Sequence, residues 1–233
     1  AHGETPEKED LTSPFLQPVD AYFSVLGTKL GMTTDKPTWE AYFRAKNKPK
    51  DLYAISFAGG YSLWSGAYGA LSGVLQGTYF GATGEVPTVL PSGAAADSRV
   101  AGIEHVSTMM MASVGADVRL RVPHPYVYWL APRVSYFEGY ARMRLEPRVS
   151  AAMNTQNTEG WPVGYTLMKR VSVLRYGVDV MFGRVFYQEV AEAQRTLGLS
   201  DMGFQVFAES WDDKSNSLSV SSNGYGAGMV FQF

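Results

Sequence analysis

Apolar and polar positions alternate with a period of two along most of the chain. In 109–122 one parity reads Met110, Ala112, Val114, Ala116, Val118, Leu120 and Val122, and the other Met111, Ser113, Gly115, Asp117, Arg119 and Arg121. Successive side chains of an extended strand point to opposite faces, so this run puts its apolar set on one side of a sheet and its charges on the other. Pro123-His124-Pro125 ends it, because proline cannot donate to a ladder. The pattern recurs in 172–186, where Leu174, Tyr176, Val178, Val180 and Phe182 oppose Arg175, Gly177, Asp179, Met181 and Gly183. In 201–211 Met202, Phe204, Val206 and Ala208 oppose Asp201, Gly203, Gln205 and Glu209. In 52–64 Tyr53, Ile55, Phe57, Tyr61 and Leu63 oppose Ala54, Ser56, Ala58, Gly60 and Ser62. The last residues set Tyr225, Ala227, Met229, Phe231 and Phe233 against Gly226, Gly228, Val230 and Gln232. Two runs, 19–30 and 67–81, leave their faces unassigned; the second interleaves Gly69, Gly73, Gly77 and Gly81 with Leu71, Leu75 and Tyr79.

Long polar or Pro/Gly-rich gaps at 33–50, 83–101 and 147–165, and a shorter one at 212–217, alternate with tight connections at Ser65-Gly66 and Pro123–Pro125. The connection 188–199 is of middling length and helical in character. Eight strands result, at 19–32, 51–64, 67–82, 102–122, 126–146, 166–187, 200–211 and 218–233; residues 38–46 also carry some strand character. An even strand number, with short turns on one rim and longer loops on the other, is the plan of a membrane barrel. A soluble sandwich or a lipocalin-like binder alternates too, and three features favour the membrane. The polar parity mixes Arg, Asp and Glu with Gly and Ser, as a narrow polar lumen does. Several runs outlast the ~5–6 residues of ordinary strands and match the ~9–11 that cross a bilayer with tilt. Aromatics gather near strand ends, at Tyr61, Trp64, Tyr126, Tyr128, Trp129, Tyr187 and Trp211, where interfacial girdles lie. The fold class read from the sequence is all-β, an eight-stranded antiparallel transmembrane β-barrel over 19–233, preceded by a polar tail at 1–18.

Composition narrows the setting. Apolar residues make up 45 % and charged ones 18 %, which argues against disorder. A net charge of −2 argues against a nucleic-acid binder. The absence of cysteine excludes disulfide scaffolds, thiolate nucleophiles and Cys-ligated zinc. No apolar run reaches the ~18–20 residues of a membrane helix. The chain starts at Ala1 rather than Met, and is read as a secreted form whose signal peptide has been removed.

The terminus, Gly226-Ala227-Gly228-Met229-Val230-Phe231-Gln232-Phe233, resembles the last strand of Gram-negative outer-membrane β-barrel proteins. In that family the chain ends on an aromatic, with another two residues earlier and a glycine three residues before that; Phe233, Phe231 and Gly228 take those places. Gly226 departs from the pattern, since the family usually has a polar residue there. The resemblance implies residence in the outer membrane as a monomer, contact with lipid and lipopolysaccharide, and recognition by the barrel-assembly machinery. Chain length is similar to the small eight-stranded group, which contains adhesin-like, receptor-like and lipid-modifying barrels.

An eight-stranded barrel is wide enough only for side chains to fill it. The expected lumen set is Asp117, Arg119, Arg121, Arg142, Arg144, Glu146, Arg175, Asp179 and Glu209, whose charges must pair to be tolerated. No metal or cofactor is implied: the three histidines, His2, His105 and His124, form no HExxH, and there is no phosphate loop and no GxSxG. Asp212, Asp213 and Asn216 read as a solvated hairpin tip, and Met109–Met111 as gap filling. His105 and Ser107 share a strand face, and a base beside a hydroxyl suits ester hydrolysis. Some small outer-membrane barrels deacylate lipid A with a His-x-Ser arrangement facing lipid. Here the pair shares the parity of Asp117 and Arg119, so it is assigned inside and no catalytic role is given to it, unless a bulge between 107 and 111 reverses the parity. Loop 33–50 carries Lys36, Arg44, Lys46, Lys48 and Lys50 among Trp39, Tyr42 and Phe43, and with loop 83–101 it is a candidate interaction surface. The function expected is envelope structure or surface interaction through outer loops. The alternatives are a narrow channel for small solutes and a lipid A deacylase-like enzyme.

Overall fold

Eight of the alternating runs pair antiparallel, and the first closes on the last to form a barrel. They are β1 (Ala21–Thr34), β2 (Asp51–Gly66), β3 (Gly69–Thr88), β4 (Val100–Leu120), β5 (Leu130–Pro147), β6 (Tyr165–Met181), β7 (Asp201–Asp213) and β8 (Val220–Gln232). This is a computed structural model, which describes residues 21–34, 44–45, 48–49, 51–66, 68–88, 100–122, 124, 126–147, 165–186, 192, 196–213 and 220–233. The tail 1–18, most of loop 33–50, residues 89–99, Tyr187 and the 214–219 tip lie outside the described residues. Within loop 33–50 Arg44–Ala45 and Lys48–Pro49 form a two-residue ladder that is not hydrogen-bonded into the barrel sheet.

Three strand ends differ from the sequence reading by more than two residues. β3 continues to Thr88 rather than stopping at 82, because β4 pairs with it along its whole length. Residues 126–129 are turn rather than strand. There Val127 N donates to His124 O at 3.1 Å and Leu130 N to Val127 O at 3.0 Å, bonds that curl the backbone away from the ladder. β6 stops at Met181, where a 3-10 turn, Phe182–Arg184, begins. In the connection that follows, Gly198 has φ +68, a backbone region that a side chain disfavours. At the same end Phe233 N donates to Ala21 O at 2.9 Å, which fastens the chain end to the first strand.

The registers fix the barrel's geometry. Following partners from Met32 through Ser222, Trp211, Val173, Phe137, Gly115, Val74 and Gly60 leads back to β1 at Tyr22, a shear of ten residues. With the usual ~3.3 Å rise and ~4.7 Å strand spacing, eight strands at this shear tilt by about 40° and give a backbone radius of about 8 Å. Such an interior holds side chains and little else.

The wall changes polarity along its axis. Toward the tight turns it reads as a membrane barrel: Phe23, Phe57, Leu75, Val114, Val118, Val134, Leu174 and Val206 are exposed on the outside, while Ser24, Asp117, Arg133, Asp179 and Gln205 are buried inside. Toward the loops the order inverts. Leu30, Leu52, Phe80, Met109, Met111, Val171, Val173 and Trp211 fill most of the interior, with Lys169 buried among the inward positions, and Arg142, Arg144, Arg170, Asp212 and Asn223 stand exposed outside. Exposed tyrosines Tyr53, Tyr79, Tyr140 and Tyr225 lie near the change, and Tyr61, Trp64, Tyr68 and Tyr126 lie at the opposite edge of the apolar belt. An apolar outside suits hydrocarbon, and an apolar inside with a polar outside suits water. The strands, 13 to 21 residues long, outreach the bilayer, and the inversion marks where they leave it. The run 67–81 thereby acquires its faces: Gly73, Leu75, Gly77 and Tyr79 are outward, Val74, Gln76 and Thr78 inward.

Candidate functional site: a layered lumen

Alternation on eight tilted strands brings inward residues into three layers. Nearest the turns, β1 supplies Tyr22, β4 Asp117 and Arg119, β5 Arg133 and β6 Asp179. Arg133 Nε lies 2.7 Å from Asp117 Oδ2, and its Nη1 lies 3.5 Å from Asp179 Oδ2. Arg119 Nε lies 3.2 Å from the same Asp179 oxygen. Tyr22 OH donates to Asp117 Oδ1 at 3.0 Å. Its ring has the guanidinium of Arg133 4.3 Å from the centroid and that of Arg119 5.2 Å away, the geometry of cation–π attraction. Gly60 lets the ring lie against the wall, since a Cβ there would collide with Tyr22.

The middle layer is built on Arg175. Its Nε and Nη2 donate to Glu209 Oε2 at 3.0 and 2.7 Å, and its Nη1 donates to Gln76 Oε1 at 3.0 Å. Gln76 Nε2 in turn donates to Thr78 Oγ1 at 3.0 Å, and that hydroxyl lies 2.9 Å from Ser56 Oγ. The rings of Phe207 and Phe137 face the guanidinium at 4.6 and 5.4 Å. The third, apolar layer lies toward the loops. There the Phe80 and Trp211 rings meet edge to face with centroids 6.3 Å apart.

In the two polar layers Arg119, Arg133 and Arg175 therefore face Asp117, Asp179 and Glu209, three cations to three carboxylates, while Lys169 is buried on the inward parity of β6 nearer the loops. Cross-linked side chains from all around the barrel cross the lumen twice, and packed apolar groups cross it a third time. Trp211 belongs to this packing, 3 % exposed, and not to an interfacial girdle as the sequence suggests.

The structure places the sequence-derived set unevenly. Asp117, Arg119, Arg175, Asp179 and Glu209 are buried in the lumen. Arg121 lies just past β4 at the turn-end mouth, half-buried, its Nη2 3.3 Å from Ser65 Oγ. Arg142 and Arg144 correct the expectation: both are exposed on the outward parity of β5, and Glu146 holds a position of that same parity. They lie beyond the inversion, where charge belongs outside. Arg133 and Tyr22, which organise the turn-end layer, were missing from the expected set. The signal available in the sequence was the alternation of Arg133 and Ser135 with Val134 and Tyr136; that Arg133 sits directly across from Arg119 is seen only in the structure. His105 and Ser107 lie in β4 on the parity of Asp117. The ladders with β3 and β5 run unbroken from Ile103 to Leu120 and from His105 to Arg119, so no bulge reverses that parity. Gly228 lies inward, where a Cβ would meet Leu26, and Phe231 and Phe233 continue the outward parity of β8.

No protein-family model and no curated protein matches this sequence. Solved structures do match it. The outer membrane protein OprG from Pseudomonas aeruginosa superposes with a TM-score of 0.52 at 9 % identity, over 93 % of this chain and 97 % of that one. Neisserial surface protein A superposes with a TM-score of 0.50 at 10 % identity, over 91 % of this chain and 97 % of that one. The fold is thus that of the small eight-stranded outer-membrane barrels.

Proposed function

We propose that this protein is an integral outer-membrane barrel that conducts nothing and acts at the cell surface, holding its loops on a rigid collar above the bilayer. The polarity inversion carries the reading. A chain that only had to cross the membrane would need neither an apolar interior nor a charged exterior beyond the aromatic edge. The ion-paired layers beneath the collar supply its rigidity and block the axis. The loop end faces outward in this reading, because the start of β1, the end of β8 and the tight β2–β3 turn gather at the opposite rim.

Reconstitution in planar bilayers tests it. The unsubstituted chain is expected to show no stable openings, and Arg175→Gln is expected to show brief ones, since it uncouples Glu209 from Gln76. Steady conductance from the unsubstituted chain would overturn the plugged barrel in favour of a narrow channel.

A further inference from the structure

At the turn end of the bore β4 brings two arginines together on its inward parity. Arg119 is buried, with Nε 3.2 Å from Asp179 Oδ2, and its Nη2 has no hydrogen-bond partner among the described residues. Arg121, two residues on, is half-buried at the mouth and donates from Nη2 to Ser65 Oγ at 3.3 Å. Burial and the neighbouring charge of Arg119 push its pKa down, so this second cation is held in a place that would welcome an anion. The carboxylates of the adjoining layer are engaged: Asp117 with Arg133, and Asp179 with Arg133 and Arg119. Asp201 stands on β7, three strands round the wall, where its Oδ1 accepts from Gly183 N at 2.8 Å and from Met202 N at 2.7 Å.

β1 begins at this same rim, and the chain before it is acidic: Glu4, Glu7, Glu9, Asp10 and Asp20 against Lys8. β1 and β4 are three strands apart, about 15 Å across a bore of ~8 Å radius. Asp10 precedes Ala21 by eleven residues, a length that extends up to about 40 Å, so Glu7, Glu9 and Asp10 reach Arg121 with slack, whereas Asp20 adjoins β1 and does not. We propose that the acidic segment Glu7–Asp10 docks in the turn-end mouth of its own barrel, its carboxylates pairing with the guanidinium groups of Arg121 and Arg119. A carboxylate suits the place because guanidinium–carboxylate hydrogen bonds are charge-assisted and two-pronged, and because it gives the buried Nη2 of Arg119 an acceptor. A segment tethered to the same rim is present at an effective concentration of roughly millimolar, which favours it over a free acid from solution. The contact goes beyond the surface role above and does not depend on it.

The test uses the full chain folded in neutral detergent micelles and follows trypsin cutting after Lys8 by mass spectrometry. Each rate is divided by that of a free peptide of residues 1–20 with the same substitutions. Docking is expected to slow the cut about tenfold in the unsubstituted chain. Arg121→Gln, at an equal folded fraction by heat-dependent gel mobility, is expected to remove most of that protection, and the tail variant E7Q/E9Q/D10N all of it, while Asp20→Asn changes nothing. The tail variant leaves every barrel residue in place, so the test stands even where Arg121→Gln fails to fold. Raising salt from about 50 to about 500 mM is expected to speed the cut in the unsubstituted chain. The chain has no cysteine, so spin labels at Thr12→Cys and Tyr68→Cys report their separation cleanly. A narrow distance distribution that broadens in the tail variant is expected. Cutting at the free-peptide rate in the unsubstituted chain overturns the site, as does equal protection of the tail variant or a distance distribution that the tail variant leaves unchanged. Protection that falls on tenfold dilution would put the tail of a second copy in the mouth and also overturns it.

Discussion

Arg133 shows how much one side chain can hold in a barrel this narrow. It touches both Asp117 and Asp179 and lies over the Tyr22 ring, so it joins β1, β4, β5 and β6. Truncating it leaves Asp179 on Arg119 but Asp117 on the Tyr22 hydroxyl without a cation, and breaking a buried pair on one side typically costs about 3–5 kcal/mol. Arg133→Met is therefore expected to lower the unfolding free energy of the micelle-folded protein by that amount, read as a lower urea midpoint. The double change that also makes Asp117→Asn is expected to recover much of the loss, because it removes the carboxylate left without a cation and keeps the Arg119–Asp179 pair. Unfolding followed by tryptophan fluorescence checks both. A midpoint unchanged in Arg133→Met would mean that the network adds nothing to stability.

Single strands carry the two-phase wall. Along β7, Val206 stands in the apolar belt, and along β6, Met168 stands beyond it, and both are exposed. Arginine on a lipid-facing site costs about 2–4 kcal/mol at the midplane and about 0–1 near the interface. Val206→Arg is thus expected to destabilise the folded protein in lipid bilayers by the larger amount and Met168→Arg by the smaller. Equal costs would show that the inversion does not mark the membrane edge. β8 gives a second prediction at this scale. Phe233 is 47 % exposed and its backbone N–H closes the barrel onto Ala21. Deleting it removes both the terminal aromatic and that bond. The expected result is a lower fraction of assembled, heat-modifiable barrel in cells, with folding into micelles slowed less. Unchanged assembly in cells would remove Phe233 from any assembly signal.

At the scale of the whole molecule, closure leaves no barrel strand with an unpaired edge, and only then can long alternating strands rest in hydrocarbon. A gel comparing unheated and boiled samples is expected to show a mobility shift once the chain has folded in micelles. Folding in plain buffer without detergent would mean that the exposed apolar belt is covered by something other than lipid. The collar predicts, in addition, that the loop end resists protease up to the loops while the outer loops themselves are cut.

The sequence by itself determined the number of strands, their antiparallel order and, for most runs, which parity faces lipid, because these follow from a local period of two punctuated by Pro, Gly and polar gaps. Asp117, Arg175, Asp179 and Glu209 were legible as lumen residues because the opposite parity of their strands is continuously apolar. Arg142 and Arg144 were misplaced for the same reason: alternation tells a residue's face only relative to its neighbours, and the rule equating polar with inside changes where a tilted strand leaves the bilayer. That level depends on the shear of ten residues and on the common height of all eight strands, neither of which any one segment encodes. The pairing of Arg133 with Asp117 and Asp179, and its place against Tyr22, required closure, which brings side chains far apart in sequence across a narrow interior. Tertiary structure decided the layers and the collar, because each is a relation between strands at one height rather than a property of a strand.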